Sequence, residues 1–160
     1  MTAHNGKKGA SATGESRRQL VLGLLSLPAA IASGAGARAD THAPVARLSD
    51  LAQPWSSVKF TLQDDDGSDM PCIVVRLPGD AWYASSLICP HNKCTVMFVT
   101  DLDMARDSFN VESKTPVLAC PCHFSVFDVT EGGHVIAGPA PRPPLQLHVT
   151  VQGNDVFVNR

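Results

Sequence analysis

The chain has 160 residues, a formal net charge of −2, 12 glycines, 12 prolines, five cysteines and only 6 % aromatic residues. That length bounds one modest core, and abundant Gly and Pro beside few aromatics point away from a helical bundle towards a loop-rich β protein. Four of the five cysteines fall in two short segments, which excludes a dispersed disulfide framework and indicates a site.

The first forty residues differ from the rest. Lys7 and Lys8 and then Ser16-Arg17-Arg18-Gln19-Leu20 precede an apolar run, Leu20–Ala32, broken by Gly23 and Pro28; Ala37-Arg38-Ala39 stands just before Asp40. A basic front, an apolar stretch and an A-x-A site in that order predict a leader over residues 1–39. The run is short for a membrane span, so cleavage is expected and a retained anchor is the alternative. "SRRQLVLG" resembles the twin-arginine signal, the address of proteins exported already folded, with Leu20 where Phe is frequent. Folded export suits a protein that receives a cofactor before it crosses. The expected location is the periplasm, with membrane association only if the leader stays.

Without residues 1–39 the chain keeps eight basic and fourteen acidic side chains, a formal net of about −6. A nucleic-acid partner is excluded by that balance; an acidic surface can steer a basic protein partner, although acidic proteins are common without one.

Residues 40–57, with Pro44 and Pro54, read as a linker. Short strands are then predicted at 58–62, 72–77 and 81–88, separated by "QDDDGSD" and Pro78-Gly79. Residues 95–100 form another, and "DLDMARDSFNVES" is a polar stretch holding a short helix or an irregular excursion. Strands at 116–119, 125–129 and 134–138 follow, the last two divided by the turn Glu131-Gly132-Gly133. Leu145, Leu147, Val149 and Val151 alternate with polar residues before Gly153-Asn154 and "VFVN", a terminal hairpin with one buried face. No helix-period segment of useful length is expected after residue 40. The fold class is all-β, a sandwich or barrel of roughly eight to ten strands.

Two segments carry the chemistry. "CPHNKC" (89–94) and "CPCH" (120–123) offer Cys89, His91, Cys94, Cys120, Cys122 and His123. Four of these six suffice for a structural zinc site, the plainest alternative. Each segment, however, begins Cys-Pro, a stiff turn that can aim the following amides at sulfur. Each also supplies a Cys and a His at short spacing, which allows a cysteine pair on one iron and a histidine pair on another.

"CPHNKC…CPCHFS" resembles the Rieske signature C-x-H-x-x-C…C-x-C-H-x-S of the cytochrome bc type, over about residues 85–145. The resemblance implies a Rieske-type antiparallel β domain over 58–160 with a small cluster-binding subdomain and a [2Fe–2S] cofactor. It implies Cys89 and Cys120 as ligands of the inner iron, His91 and His123 as ligands of the outer one, and a disulfide between Cys94 and Cys122, which the oxidising periplasm permits. Neutral imidazoles in place of two thiolates remove negative charge and raise the potential above that of all-cysteine clusters. Ser125 matches the family serine whose hydroxyl bonds a bridging sulfide.

Departures from the quinol-oxidising members narrow the reading. Phe127 stands where they carry a Tyr that donates to a cysteine sulfur, so a lower potential is expected. Asn92-Lys93 replaces their apolar Leu-Gly at the quinone-docking tip. Twenty-eight residues separate His91 from Cys120, which implies an insertion within 95–116. "CPCHFSVFD" is similar to the small Rieske subunit of arsenite oxidase, whereas "GPAP" (138–141) matches the proline loop of bc-type proteins.

The expected function is therefore a periplasmic electron-transfer subunit, relaying single electrons between a large molybdopterin-type oxidoreductase subunit and a carrier such as a cytochrome c or cupredoxin. It has no substrate site of its own. A quinol-oxidising subunit of a bc-type complex is the second reading and a zinc domain the third. Elsewhere, Cys72 reads as a buried small hydrophobe, His134 and His148 as strand residues, Trp55 and Trp82 as anchors, and Asp64–Asp66 as a solvated loop. No Ser/His/Asp or paired-carboxylate constellation supports hydrolysis.

Overall fold

A computed structural model describes residues 43–160; the leader reading lies outside the described residues. Ten strands and one helix follow in order: β1 Ala46–Arg47, β2 Ser57–Gln63, β3 Asp69–Arg76, β4 Trp82–Ser86, β5 Met97–Val99, α1 Leu102–Phe109, β6 Val117–Ala119, β7 Val126–Asp128, β8 His134–Ala137, β9 His148–Gln152 and β10 Asp155–Asn159. They form three antiparallel sheets ordered β1-β10-β9, β2-β3-β4 and β5-β6-β7-β8.

The layers follow from which side chains each strand turns to which face. In β2, Val58, Phe60 and Leu62 alternate inward against exposed Ser57, Lys59, Thr61 and Gln63. β3 reads instead as a continuous apolar run because both its faces are covered. Cys72 and Val74 point into a core shared with Ala46, Leu51, Val156 and Val158, while Ile73 and Val75 point into a second core with Leu118 and Phe127. On its far side the third sheet buries Val117, Ala119 and Val126 against Ala105 and Phe109 of α1. The order is thus sheet, sheet, sheet, helix.

The predicted strands all appear, but one expectation needs correction. Residues read as a linker belong to the domain: Ala46 pairs with Val156, Val45 N–H donates to Val156 O at 2.9 Å, and Leu51 is fully buried. The polar stretch left open between a short helix and an irregular excursion holds the helix, and α1 makes two turns. Asp101 caps it, accepting from Asp103 N–H (2.9 Å) and Met104 N–H (3.2 Å), and left-handed Asn110 ends it. Eight residues hold too few periods for a helical pattern to stand out.

The second and third sheets meet at the two Cys/His segments. β4 runs directly into Cys89, and β6 and β7 are the two strands that flank Cys120–Ser125. The segment before β9 locks onto β4, with Ser86 N–H on Leu145 O (2.8 Å) and Leu147 N–H on Ala84 O (2.9 Å). Among the described residues no helix is long and apolar enough to cross a membrane.

Candidate metal centre

The two Cys/His segments fold into hairpin turns with the same internal bonding. In the first, Lys93 N–H donates to Cys89 O (2.9 Å) and Cys89 N–H to Cys94 O (2.8 Å). In the second, Phe124 N–H donates to Cys120 O (3.0 Å) and Cys120 N–H to Ser125 O (2.8 Å). The fifth residue of each turn closes it in the left-handed region, Lys93 at φ 55° and Phe124 at φ 57°. Neither is glycine, so each turn carries about 1 kcal/mol of backbone strain.

These turns sort the six candidate side chains. Cys89 and Cys120 are buried and free, both within the core that contains Phe127 and Leu118. His91 and His123 are exposed, with ring centroids 4.7 Å apart and planes nearly perpendicular. Cys94 and Cys122 are joined in a disulfide with Cα atoms 6.5 Å apart. Their sulfurs lie close to that of Cys120, yet as a disulfide they offer no thiolate to a metal.

Burial pushes the Cys120 thiol upward, and the neighbouring Cys89 thiol adds to it. The backbone N–H groups of Cys122 and His123 act the other way by bonding the sulfur. A pocket whose two thiols have little but each other and inward-aimed amides for company suits a cation that would take them as thiolates. Two sulfurs within and two imidazoles at the surface fit a binuclear centre with unlike ends better than a tetrahedral zinc.

A third segment completes the surround. Ser125 is fully buried and its Oγ accepts the Ala140 backbone N–H at 3.1 Å. At Gly138 (φ +82°) a Cβ would lie 2.6 Å from Phe124 O and Ser125 N, so the chain approaches this closely only without a side chain. The motif "GPAP" flagged the segment; its bond to Ser125 had no signal in sequence. Phe127 is fully buried in β7. Asn92 and Lys93 are exposed at the first tip, and Phe124, beside His123, stacks edge-on against Phe109 at 6.2 Å.

The remaining singled-out residues stand apart from the centre. Cys72 is fully buried, its Sγ donating to Met70 O at 3.3 Å, and burial raises its thiol to about 11. Trp82 stacks under the Arg76 guanidinium at 4.6 Å, and Trp55 packs on the second core. His134 and His148 are exposed in β8 and β9. Asp64 and Asp65 accept from Arg160 at 3.0 and 2.6 Å.

An antiparallel β domain that holds two matched Cys/His turns side by side, buried thiols behind exposed imidazoles, is an iron–sulfur electron-transfer domain. Residues 42–155 match the Rieske [2Fe-2S] domain family, and the chain belongs to it; its cofactor is a [2Fe–2S] cluster. A Rieske subunit assigned to the respiratory nitrate reductase of Haloferax mediterranei is 36 % identical over 75 residues, 47 % of this chain and 28 % of that one. The cytochrome b6-f complex iron-sulfur subunit of a Synechococcus species is 33 % identical over 78 residues, 49 % of this chain and 35 % of that one. The chain thus spans about a third or less of the length of these curated relatives. Among solved structures, the soluble domain of Rieske protein II of Sulfolobus acidocaldarius superposes with a TM-score of 0.54 at 19 % identity, covering 72 % of this chain and 75 % of that one. The plasma-membrane Rieske protein PetC3 of Synechocystis PCC 6803 gives 0.50 at 24 %, covering 74 % and 100 %. At these identities the two structures speak to the fold.

Proposed function

We propose that this chain is a periplasmic Rieske subunit that relays single electrons between a large oxidoreductase subunit of the molybdopterin type, as in arsenite oxidase, and a soluble carrier. Cys89 and Cys120 would hold one iron and His91 and His123 the other, and the Cys94–Cys122 disulfide keeps the two turns in register. When bound, the cluster stores one electron. The chain's own groups do the rest. Core side chains and the disulfide keep water from the thiolate side. The amides of Cys122 and His123 stabilise charge on Cys120. With one lone pair of Ser125 Oγ committed to the Ala140 N–H, its hydroxyl proton is left free to point at the cluster. The exposed imidazoles give the electron a short exit to the surface.

The observation that carries this reading is the polar first tip. Asn92 and Lys93 are exposed where a quinone-docking member needs an apolar cover, and Lys93 brings a full charge. Similarity to a nitrate reductase Rieske subunit supports a large oxidoreductase partner. The disulfide suits an oxidising compartment, in keeping with the twin-arginine-like leader.

A second reading, a quinol-oxidising subunit of a bc-type complex, is favoured by the "GPAP" loop and by the b6-f and bc1 relatives. There, His91 or His123 would bond the quinol and take its proton. Protein-film voltammetry of the cluster-loaded protein beside a quinol-oxidising relative separates the two. A clearly lower potential is expected, and an equal one overturns the first reading. A colourless protein without a Rieske EPR signal would overturn both in favour of zinc.

A further inference from the structure

We infer that the face formed by Phe124, helix α1 and the hollow beside β8 docks the electron carrier, and that this carrier presents an apolar patch rimmed by Lys and Arg. The inference rests on the relay reading above and names the carrier's chemistry.

Phe124 stands in left-handed backbone that a glycine would hold without strain, and its ring is 55 % exposed next to His123. Strain and a largely exposed aromatic at the mouth of a redox centre are costs that its edge-on contact with Phe109 offsets only in part. Phe109 of α1 supports the ring from beneath, and Phe109 itself is buried among Val99, Val111, Val117 and Val126. The platform is therefore anchored in the third sheet. Of seven exposed large apolar side chains among the described residues, five lie between positions 97 and 137: Met97, Leu102, Met104, Phe124 and Ile136.

A hollow of about 470 Å³ lies against Phe124, lined also by Phe109, Asn110, Ala137 and Gly138. Asn110 and Ala137 also line a second hollow of about 600 Å³, whose charged lining residues are Glu112, Asp128 and Lys114. The two hollows thus adjoin at Asn110 and Ala137, between the apolar side of the second turn and a lining that carries two carboxylates and one ammonium.

Charge selects the occupant. Residues 97–137 hold six acidic and two basic side chains, a net of −4, whereas the rest of the described domain holds seven and six, a net of −1. Asp103 and Asp107 flank Arg106 on the outer side of α1, and all three are exposed. Apolar contact beside the electron exit with an acidic surround fits a basic redox protein, whose encounter the field would accelerate.

The test uses cluster-loaded protein and a basic mitochondrial-type cytochrome c as probe, with affinity from surface plasmon resonance and electron transfer from stopped flow, both at several ionic strengths. Phe124→Gly and the double variant Asp103→Lys/Glu112→Lys are expected to weaken binding and slow the second-order rate at least tenfold. The double variant should also flatten the salt dependence. Asp50→Lys/Asp80→Lys, with the same change in net charge elsewhere, should stay within threefold of wild type. If wild type binds and the face variants match it, the docking inference falls alone and the face is left to another occupant such as the large subunit. An equal loss in the distant pair also overturns it. If wild type neither binds nor reduces the cytochrome, the carrier reading itself fails, and this inference with it.

Discussion

Ser125 Oγ accepts the Ala140 backbone N–H at 3.1 Å, with both residues buried, so the second turn is fastened to the segment that follows β8. The bond fixes the oxygen and leaves its proton available towards the metal side. Gly138 makes the approach possible, because any Cβ there would meet the backbone of Phe124 and Ser125.

Loss of the Ser125 hydroxyl should register twice. Ser125→Ala leaves a buried N–H unpaired, a cost of about 1–3 kcal/mol, and removes the hydroxyl proposed to donate to the cluster. A drop in potential on the order of 50 mV is expected if that bond is about 1 kcal/mol stronger in the reduced state. Voltammetry and thermal melts read the two effects; a stable variant with unchanged potential would show that the hydroxyl faces only Ala140. Gly138→Ala should destabilise more, by about 2–4 kcal/mol, since backbone rather than a pliable side chain stands in the way.

Phe127 is fully buried in the core that holds Cys89 and Cys120. Phe127→Tyr adds a donor there. If the phenol reaches a cysteine sulfur, the potential rises on the order of 50 mV and stability is nearly kept. If it finds no acceptor, the melt falls by about 1–3 kcal/mol and the potential stays put; that outcome would end the explanation of a low potential through Phe127.

The Cys94–Cys122 disulfide closes a loop across a sequence separation of 28. Cys94→Ser/Cys122→Ser should cost about 3–4 kcal/mol by releasing the unfolded chain. It should also let the turns part, with faster loss of the visible and EPR signals on dilution. A double variant that melts lower but keeps its cluster as long as wild type would make the bond a matter of stability alone.

Burial raises the Cys72 thiol to about 11 and the Tyr83 phenol to about 12. Both groups hold their proton more tightly folded than unfolded, so the unfolded chain loses it first. Their contributions are fully present below the unfolded values of 9.0 and 10.0 and are lost as pH climbs to the raised ones. Denaturant melts should show stability falling above pH of about 9. Cys72→Ala should flatten the earlier part of that fall, and an unaltered slope would assign it to other groups.

Much of the fold was legible because its strands are short, alternate cleanly and end at Gly or Pro. Val58, Phe60 and Leu62 show one face in their spacing alone. β3 could be recognised as a strand but not placed, since a continuous apolar run says that both faces are covered and not by what. Ala46 looked like linker because a two-residue strand has no periodicity; only pairing with β10, over a hundred residues away, makes it part of the sheet, and Leu51 joins the same core just after it.

By itself the sequence determined the ingredients of the centre: two Cys-Pro turns, a cysteine pair and a histidine pair, and a serine after the second turn, since ligand type and local turn chemistry are properties of adjacent residues. The tertiary structure decided which groups are wet and which are dry. It buried Cys89 and Cys120, exposed His91 and His123, joined Cys94 to Cys122, and bound Ser125 to Ala140. It also set Phe124 on Phe109 of a helix that the pattern alone left undecided. These are contacts between segments far apart in the chain, fixed by how three sheets stack, and no spacing within one segment encodes them.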